Sequence, residues 1–317
     1  MAQYLLKRLG MTFAVVLLIL LFLAVVPHLI PGDPVENILG PRATEARITQ
    51  VRVEMGIDDP ILVQAGSFIW NALQGDLGRD FATNRPVTTM LAQAVPHTMA
   101  LAFASLGLAV LLGIPFGVLA ATKPDSLLDR FTSVVSVSFI TVPSYVMGLF
   151  LLLLFPIWLG VLPATGTGSF GEPSNYLRHL ILPAAALAIT WVGYFARLVR
   201  ASMLEVVGSN YIRVARAYGL RERAIHYKYA LKNAVIPSVA IMGVALGNLL
   251  GGAVFIELIF NRPGLGKLAL DAISARNFPV LRGAILMVAL LFVAANLVAD
   301  LSYRFLDPRI RVEEKSS

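Results

Sequence analysis

Long apolar segments alternate with polar stretches of unequal length along this chain. A helix that crosses the hydrocarbon core of a membrane needs about 20 apolar residues, and six segments meet that requirement. The predicted spans are 9–30, 98–121, 131–160, 180–202, 234–257 and 284–305. The fourth and sixth have the shortest charge-free cores. The charged residues at their ends, which either reach the interface or face protein, are Arg197, Arg200, Asp300 and Arg304. The pattern predicts an all-α polytopic membrane protein with six transmembrane helices.

The composition supports a membrane protein and excludes cysteine chemistry. Of 317 residues, 57% are hydrophobic and 14% are charged, and the mean hydropathy is +0.75. Soluble domains carry roughly a quarter charged residues. The chain has no cysteine, which excludes disulfides, thiol catalysis and cysteine metal sites. The net charge is +7, but the basic residues cluster in loops between spans. They therefore report topology, and we expect no nucleic-acid partner.

The first span resembles a signal peptide in one respect only, because Lys7 and Arg8 precede it. The apolar run is too long for a signal peptide, and no small-x-small cleavage site follows it. We expect a signal anchor that stays in the membrane.

The orientation follows from the basic residues in short loops. Between the fourth and fifth spans lie two acids and eight basic residues: Arg197, Arg200, Arg213, Arg216, Arg221, Arg223, Lys228 and Lys232. This loop is therefore expected in the cytoplasm, which predicts an N-in, C-in topology. One loop, 258–283, fits this topology poorly. It would lie outside the cytoplasm, yet it holds the basic residues Arg262, Lys267, Arg276 and Arg282.

This topology divides the chain into four parts. They are an N-terminal tail and first helix (1–30), an extracytoplasmic helical segment (31–97), a core of five helices (98–305) containing a cytoplasmic loop (204–233), and a cytoplasmic tail (306–317).

The outer segment is too long to be a simple connector. Within it, residues 61–75 are predicted to be helical, with one apolar face at helical spacing: Ile61, Ala65, Phe68, Ile69 and Leu73. This helix is interpreted as a cap resting on the membrane domain, and also as a docking or gating surface for an extracytoplasmic partner.

The basic segment 211–237 holds six basic residues and one acid, Glu222. A turn near 208–210, with Ser209 or Asn210 as N-cap, is predicted to start a helix from Tyr211 to Tyr218. Gly219 suits its C-terminal turn, and a second helix is expected over 221–233. Arg213, Arg216 and Ala217 share one face of the first helix. Ile212, Ala215 and Tyr218 form a more apolar side.

Three interpretations of this segment remain open. Its charge could serve topology alone, or it could bind anionic lipid. We favour a helix–Gly–helix plug that docks into a soluble cytoplasmic partner, because small residues beside arginines allow close approach and directional pairing.

The segment resembles the EAA-type coupling loop of ABC importer permeases. It has the R-x-A-R-A-x-G form usual in the oligopeptide/dipeptide branch, at Arg213, Ala215, Arg216, Ala217 and Gly219. It departs from the wider family at the Glu-Ala-Ala triplet, here 213–215, and at the usual Leu-Pro pair, here Leu231 and Lys232. Further motifs extend the resemblance along nearly the whole chain: KR (7–8), PGDP (31–34), GDLG (75–78), RPV (85–87), GIPFGVLAA (113–121), VPS (142–144), ILPA (181–184), RPGLGKL (262–268), FPV (278–280) and DPRIR (307–311).

The resemblance implies the architecture of a type I ABC importer permease in a bacterial or archaeal inner membrane. Its expected partners are membrane lipid, a second homologous permease, two ABC ATPases that bind ATP and Mg²⁺, and an extracytoplasmic substrate-binding protein. Di- or oligopeptides are the expected cargo, with nickel complexes, glutathione or sugars as alternatives. The implied ATPase-coupling residues are Tyr211, Arg213, Ala215, Arg216, Ala217, Gly219 and Leu220.

Candidate catalytic chemistry is missing from the sequence. The string GLGK (264–267) is not a phosphate loop, because Asn261 replaces the upstream glycine and Leu268 the hydroxyl residue. The four histidines show no ligand spacing, so we expect neither an enzyme nor a cofactor or metal site. Glu257 and Asp300 are expected to have interfacial or partner-bonding roles. An ion-coupled secondary transporter is a more distant alternative, but it would favour mid-membrane acids or inverted repeats, and neither stands out here.

Overall fold

The computed structural model describes residues 2–29, 44–45, 52, 60–169 and 171–306. Over these residues the chain is almost entirely helical, and the pairing of Arg79 with Pro86 is an isolated antiparallel bridge. The helices are α1 (Ala2–Leu29), α2 (Ile61–Leu73), α3 (Val87–Thr122), α4 (Leu127–Thr141), α5 (Ser144–Leu152), α6 (Pro173–Val207), α7 (Asn210–Ala217), α8 (Glu222–Ala224), α9 (Leu231–Ala234), α10 (Ile236–Ile259), α11 (Leu265–Ser274) and α12 (Phe278–Leu306). The predicted all-α class is confirmed. The PGDP turn (31–34) and residues 307–317 of the predicted tail lie outside the described residues.

Five of the predicted spans have long apolar helical counterparts. The helices α3, α6, α10 and α12 are each long and apolar enough to cross a membrane, and the α4–α5 pair is a fifth candidate. The first predicted span coincides with α1, whose apolar stretch over Gly10–Val25 is shorter. The helix α3 begins eleven residues before the predicted start at residue 98, because Val87, Leu91 and Ala94 are buried against protein.

Two prolines interrupt the third predicted span in different ways. Between α4 and α5 the helix axis turns by 101° at Val142 and Pro143, since proline cannot donate a helical hydrogen bond and disfavours helix at the preceding residue. Further along, Pro156 lies within a π-helical turn, Leu153–Trp158. This segment is therefore a broken helix.

The chain forms two compact units. The first comprises the described residues of Met1–Thr98 and Pro263–Val293. One of its apolar clusters joins α3, α11 and α12, and its buried members are Val87, Leu91, Ala94, Leu265, Ala272, Val280, Leu281 and Ala284. A second cluster joins α1, α2 and α12 around Leu20, Leu23 and Leu286.

The loop between α2 and α3 is fixed within the first unit by Asp80. This carboxylate is buried, and it accepts hydrogen bonds from the Ala82 backbone N–H at 3.0 Å, the Thr83 hydroxyl and the Asn277 side-chain amide. Burial raises the pKa of Asp80, but the hydrogen bonds outweigh it, so that the pKa lies below its usual value. The loop GDLGRDF (75–81) is therefore held in a defined conformation, and the hydrogen bond from Asn277 ties it to the start of α12.

The second unit comprises the described residues of Met99–Arg262 and Ala294–Ser317. Within it, α3 approaches α6 closely at two glycines of the GIPFGVLAA motif. A Cβ atom on Gly113 would lie 2.8 Å from Phe195 Cβ, and one on Gly117 would lie 2.6 Å from the Ala196 carbonyl oxygen. Small residues at this i, i+4 spacing let two helix backbones pack closely in a membrane protein.

Candidate functional site

The helix α7 begins where the sequence predicts, although without the expected cap. Ser209 occupies the N-cap position with extended backbone angles, but its side chain caps no backbone N–H of α7. The Ser209 hydroxyl instead donates to the Val206 carbonyl oxygen at 2.5 Å. The predicted N-cap position is therefore confirmed, and the capping hydrogen bond expected from it is wrong.

The C-terminal end of α7 is a Schellman motif built on Gly219. This residue has a φ of +75°, in the left-handed region that glycine adopts without steric cost. Its N–H donates to the Arg216 carbonyl oxygen at 2.9 Å, and the Leu220 N–H donates to the Ala215 carbonyl oxygen at 3.3 Å. These two bonds satisfy carbonyls that the end of the helix would leave unpaired. The predicted glycine stop is confirmed.

One side chain anchors α7 to the second unit. Ile212 is fully buried in a cluster formed by the ends of α3 and α6 and by the segment after Gly219. The other buried members of this cluster are Val118, Ala121, Val199, Met203, Ile225, Ala230 and Ala234. Burying an isoleucine side chain contributes about 1.5–3 kcal/mol, so this contact holds the short helix in place.

The opposite face of α7 is open to solvent. Arg213, Arg216 and Ala217 are exposed, as predicted for a shared face. The predicted apolar side is only partly correct: Ile212 and Ala215 pack inward, but Tyr218 is 83% exposed. Val214 is 53% exposed, so the free surface combines cations with apolar and aromatic groups. Such a mixture suits a protein partner.

Two side-chain contacts connect α7 to the helices after Gly219. Arg216 Nε lies 2.8 Å from Glu222 Oε1, and the Asn233 side-chain amide donates to the Tyr211 hydroxyl at 2.8 Å. The hydrogen bond from Arg216 lowers the pKa of the Glu222 carboxyl. Glu222 is exposed and is the only acid in 211–237. Since Arg216 precedes Gly219 and Glu222 follows it, their contact joins the two sides of the turn at the protein surface.

The second helix of the segment is helical as predicted, but it contains a π turn. It runs from α8 through Ile225–Ala230 to α9. A π-helical turn brings residues five apart onto one face, and both Ile225 and Ala230 are fully buried. The widened turn therefore lets both side chains reach the cluster around Ile212.

An ion pair fixes α4 to α6 near the same cluster. Arg200 Nε lies 2.5 Å from Asp129 Oδ1, and Arg200 Nη2 donates to Asp129 Oδ2 at 2.7 Å. The Asp129 side chain is 4% exposed and the Arg200 side chain 30% exposed. Arg200 adjoins Val199, which packs on Ile212 within the cluster. Of the two predicted options for this arginine, facing protein is therefore the observed one.

The unequal exposure of this pair predicts unequal effects of its two alanine variants. Arg200→Ala leaves a buried carboxylate without its cation and is expected to cost about 2 kcal/mol, below the roughly 3–5 kcal/mol of fully buried pairs. Asp129→Ala leaves an arginine that can reach water, so its cost is smaller. Thermal unfolding of the purified transporter checks this order, and equal midpoints for the two variants would contradict it.

A second buried charge lies after α10. Arg262 is fully buried; its Nη1 donates to the His179 carbonyl oxygen and its Nη2 to the Tyr176 hydroxyl, both at 3.2 Å. Its guanidinium also lies over the Tyr176 ring, 5.5 Å from the centroid. Burial holds the pKa of Arg262 below its usual value, and the interactions with Tyr176 and the buried Glu257 offset only part of that effect. Glu257 is buried and acts electrostatically on Arg262, and its predicted interfacial or partner-bonding role stays a prediction. The Asp300 side chain lies outside the described residues.

The predicted coupling residues thus lie in one local structure, and several of the contacts that support it are not indicated by the sequence. Tyr211, Arg213, Arg216, Gly219 and Leu220 belong to one turn–helix–turn. The Arg216–Glu222 contact could have been suspected, because Glu222 is the only acid nearby. The Asp129–Arg200 pair could not, because 71 residues separate its members.

Comparison with known proteins identifies matching families over almost the whole chain. The family described as "Binding-protein-dependent transport system inner membrane component" matches residues 113–312. The N-terminal family of the same transport systems matches residues 1–102.

Individual relatives match over nearly their full lengths. The chain is 38% identical to a protein of Brucella abortus (strain 2308) named as a peptide transport system permease, over 99% of this chain and 100% of the relative. It is 40% identical to the D,D-dipeptide transport system permease DdpB of Escherichia coli (strain K12), over 90% and 91%. It is 38% identical to the glutathione transport system permease GsiC of Shigella flexneri serotype 5b (strain 8401), over 98% and 99%.

A solved structure supports the fold. A chain of the MetNI methionine ABC transporter in inward-facing conformations superposes with a TM-score of 0.57 and 21% identity, covering 69% of this chain and 96% of that chain.

Proposed function

Since the chain belongs to the family of binding-protein-dependent transport system inner membrane components and is a permease subunit of an ABC importer, we propose that it forms half of a translocation path for di- or oligopeptides. The cargo proposal rests on relatives named for peptide, D,D-dipeptide and glutathione transport. A D,D-dipeptide and glutathione are both short peptides. A nickel complex, glutathione itself or a sugar is the alternative cargo within the same family.

The observation that carries the coupling proposal is the exposed basic helix α7, held at a fixed angle by buried and polar contacts. Ile212 anchors it, Gly219 sets its exit, and the contacts of Tyr211 and Arg216 brace it. A short helix supported in this way can move as a rigid element, so that a displacement of α7 also displaces the ends of α3 and α6. In the proposed mechanism, ATP binding closes two partner ATPases, α7 moves with them, and the path opens outward to accept cargo; hydrolysis then resets it.

The exposed arginines are proposed to bind acidic or carbonyl groups of the ATPase. Arg216 pairs with Glu222 in this chain, and both side chains are exposed, so docking is proposed to exchange this surface ion pair for a pair with the ATPase. Arg213 hydrogen-bonds Asn210 within the same helix. ATP and Mg²⁺ are assigned to the ATPases, because the sequence has no phosphate-binding loop.

The proposed assembly contains this chain, a second homologous permease, two ATPases and an extracytoplasmic binding protein. We propose six spans in the N-in, C-in orientation, in a bacterial or archaeal cytoplasmic membrane. The loop 258–283 fits this orientation poorly because of its basic residues. Contacts within the chain explain the presence of two of them. Arg262 is fully buried beside Glu257, and Lys267 pairs with Asp271 at 2.7 Å, so neither acts as free loop charge.

Gentle affinity purification of the tagged chain from native membranes tests this function. We expect a second permease and ATPase subunits to co-purify, and the reconstituted complex to take up short peptides when ATP and a peptide-loaded binding protein are supplied. Uptake should withstand an uncoupler and stop without ATP. A lone chain whose transport collapses with the proton gradient would instead indicate a secondary transporter, and uptake of a nickel complex or sugar alone would refute the peptide assignment.

A further inference from the structure

The helix α2 presents three different strips along its length. At about 100° per residue, Ala65, Phe68, Ile69 and Ala72 share the strip that packs on the first unit. A second strip is apolar but exposed, with Val63 at 53%, Trp70 at 65% and Leu73 at 71% exposure. The third strip is polar and uncharged, and it consists of Gln64, Ser67 and Asn71. A helix surrounded by water would not be expected to leave one-third of its circumference apolar and uncovered.

The protein-facing strip meets its neighbours well inside the ends of two apolar helices. It packs in one cluster with Leu20 and Leu23 of α1 and with Leu286 of α12. Counted from the end of α1 at Leu29, Leu20 and Leu23 lie about 9–14 Å inward at 1.5 Å per residue. Leu286 lies about 12 Å inward from the start of α12 at Phe278 by the same measure. One leaflet of hydrocarbon is about 15 Å thick. Taking the helix ends at Leu29 and Phe278 as the edge of the hydrocarbon, these contacts lie at the depth of acyl chains.

The composition of α2 suits that depth. Its sequence, ILVQAGSFIWNAL, contains no charged residue, although acids stand on both sides of it at Asp59 and Asp76. Its 13 residues cover about 20 Å, too short to cross a hydrocarbon core of about 30 Å. Exposed apolar residues of α1, such as Phe22 at 60%, face outward at the level of the same contacts. Both α1 and α2 therefore carry exposed apolar side chains beside the contacts that join them.

We propose that α2 is a non-spanning helix embedded in the leaflet at the Leu29 end of α1, with the strip of Val63, Trp70 and Leu73 in contact with acyl chains and the polar strip facing the headgroups. Tryptophan favours this boundary, because its ring is apolar and its N–H is polar. The partner of this surface is lipid, and the strip is not the docking site of an extracytoplasmic protein. The proposal depends on neither the cargo nor the coupling assignment.

Cysteine labelling tests this placement directly, because the chain has no cysteine of its own. Single cysteines replace Trp70, Leu73, Asn71 and Ala82 in the complete transporter, in sealed membranes treated with an impermeant maleimide. Asn71 is the matched control, since it is also exposed and lies one residue from Trp70 on the polar strip. Ala82, in the exposed loop after α2, is the reference for full access to water.

We expect Asn71→Cys and Ala82→Cys to label readily, and Trp70→Cys and Leu73→Cys to label more than about tenfold more slowly, because a thiol among acyl chains neither meets the reagent nor ionises. Labelling after denaturation shows that every thiol is intact. Rapid labelling at 70 and 73 would overturn the proposal, and its suppression by added binding protein would assign the strip to that protein. Slow labelling at 71 as well would overturn the interfacial placement.

Lipid quenching of Trp70 provides a second measurement that keeps the native side chain. With Trp158 and Trp191 replaced by phenylalanine, Trp70 is the sole tryptophan. We expect strong quenching by lipids brominated on their acyl chains, and weak quenching by aqueous iodide. The reverse order would contradict a lipid contact even if the cysteine variants assembled poorly.

Discussion

Replacing Gly219 with valine is expected to remove most ATP-driven uptake while leaving the transporter assembled in the membrane. The residue has a φ of +75°, where a β-branched side chain costs about 1–3 kcal/mol of backbone strain. No atom lies within 4 Å of a Cβ added at this position, so the strain comes from the backbone alone. Relieving it requires the hydrogen bonds from Gly219 and Leu220 to open, which changes the angle between α7 and the next helix.

The measurement is ATP hydrolysis and peptide uptake by the reconstituted complex, stimulated by loaded binding protein. A docking penalty of about 1.4 kcal/mol corresponds to a tenfold loss of affinity, so we expect uptake to fall about tenfold or more. Co-purification of the second permease should remain, because Gly219 is exposed and the buried anchor Ile212 is unchanged.

Two control variants separate the backbone effect from any other effect of a side chain at this turn. Asparagine tolerates the left-handed region, so Gly219→Asn should keep most of the activity. Gly208 precedes α7 with an ordinary φ of −77°, so Gly208→Ala should be nearly silent. Unimpaired uptake by Gly219→Val would refute the coupling role of this turn. Equal losses in the valine and asparagine variants would show that backbone strain is not the cause.

The positions of α2 and α7 were predictable from sequence because local patterns determine them. An apolar period of 3.6 residues indicated α2 at 61–75, close to the observed Ile61–Leu73. A serine before an amphipathic stretch and a glycine after it indicated α7 to within one residue at each end. Such signals involve residues within one or two helical turns of each other, so they can be recognised in a single sequence.

The contacts that orient these helices were not predictable, because they join residues far apart in the chain. Nothing near Arg200 in sequence indicates Asp129, and the extension of α3 to Val87 depends on burial against α11 and α12. The π turn Ile225–Ala230 arises from the need to bury two side chains on one cluster, which becomes visible only when that cluster exists. Arg262 is a further example. The sequence indicates only a basic residue in an outer loop, whereas the fold buries it beside His179, Tyr176 and Glu257.

Replacing Arg262 with methionine is expected to destabilise the second unit more than any exposed substitution in the chain. Methionine fills a similar volume but removes the donors to Tyr176 and His179. It also removes a positive charge that acts on the buried carboxylate of Glu257. Losing these hydrogen bonds and a neighbouring positive charge is expected to cost several kcal/mol, up to the roughly 3–5 kcal/mol of a broken buried ion pair. It should lower the midpoint of thermal unfolding and the amount of full-length chain in the membrane.

A matched control is Arg282→Met. Arg282 is also largely buried, and its guanidinium lies 5.2 Å from the Phe68 ring centroid. Among the residues that the structure describes, no acid pairs with this guanidinium, so methionine leaves no described carboxylate without a cation. We therefore expect a much smaller loss of stability at position 282 than at position 262.

The double variant Arg262→Met with Glu257→Gln decides whether the charge of Glu257 is the cause. If the carboxylate is what destabilises the single variant, neutralising it should recover part of the lost stability, because an uncompensated buried charge is then removed. Thermal unfolding of the four proteins, wild type, each single variant and the double variant, gives the interaction energy directly. Strictly additive losses would mean that Arg262 acts through Tyr176 and His179, and that Glu257 has a separate role in the membrane.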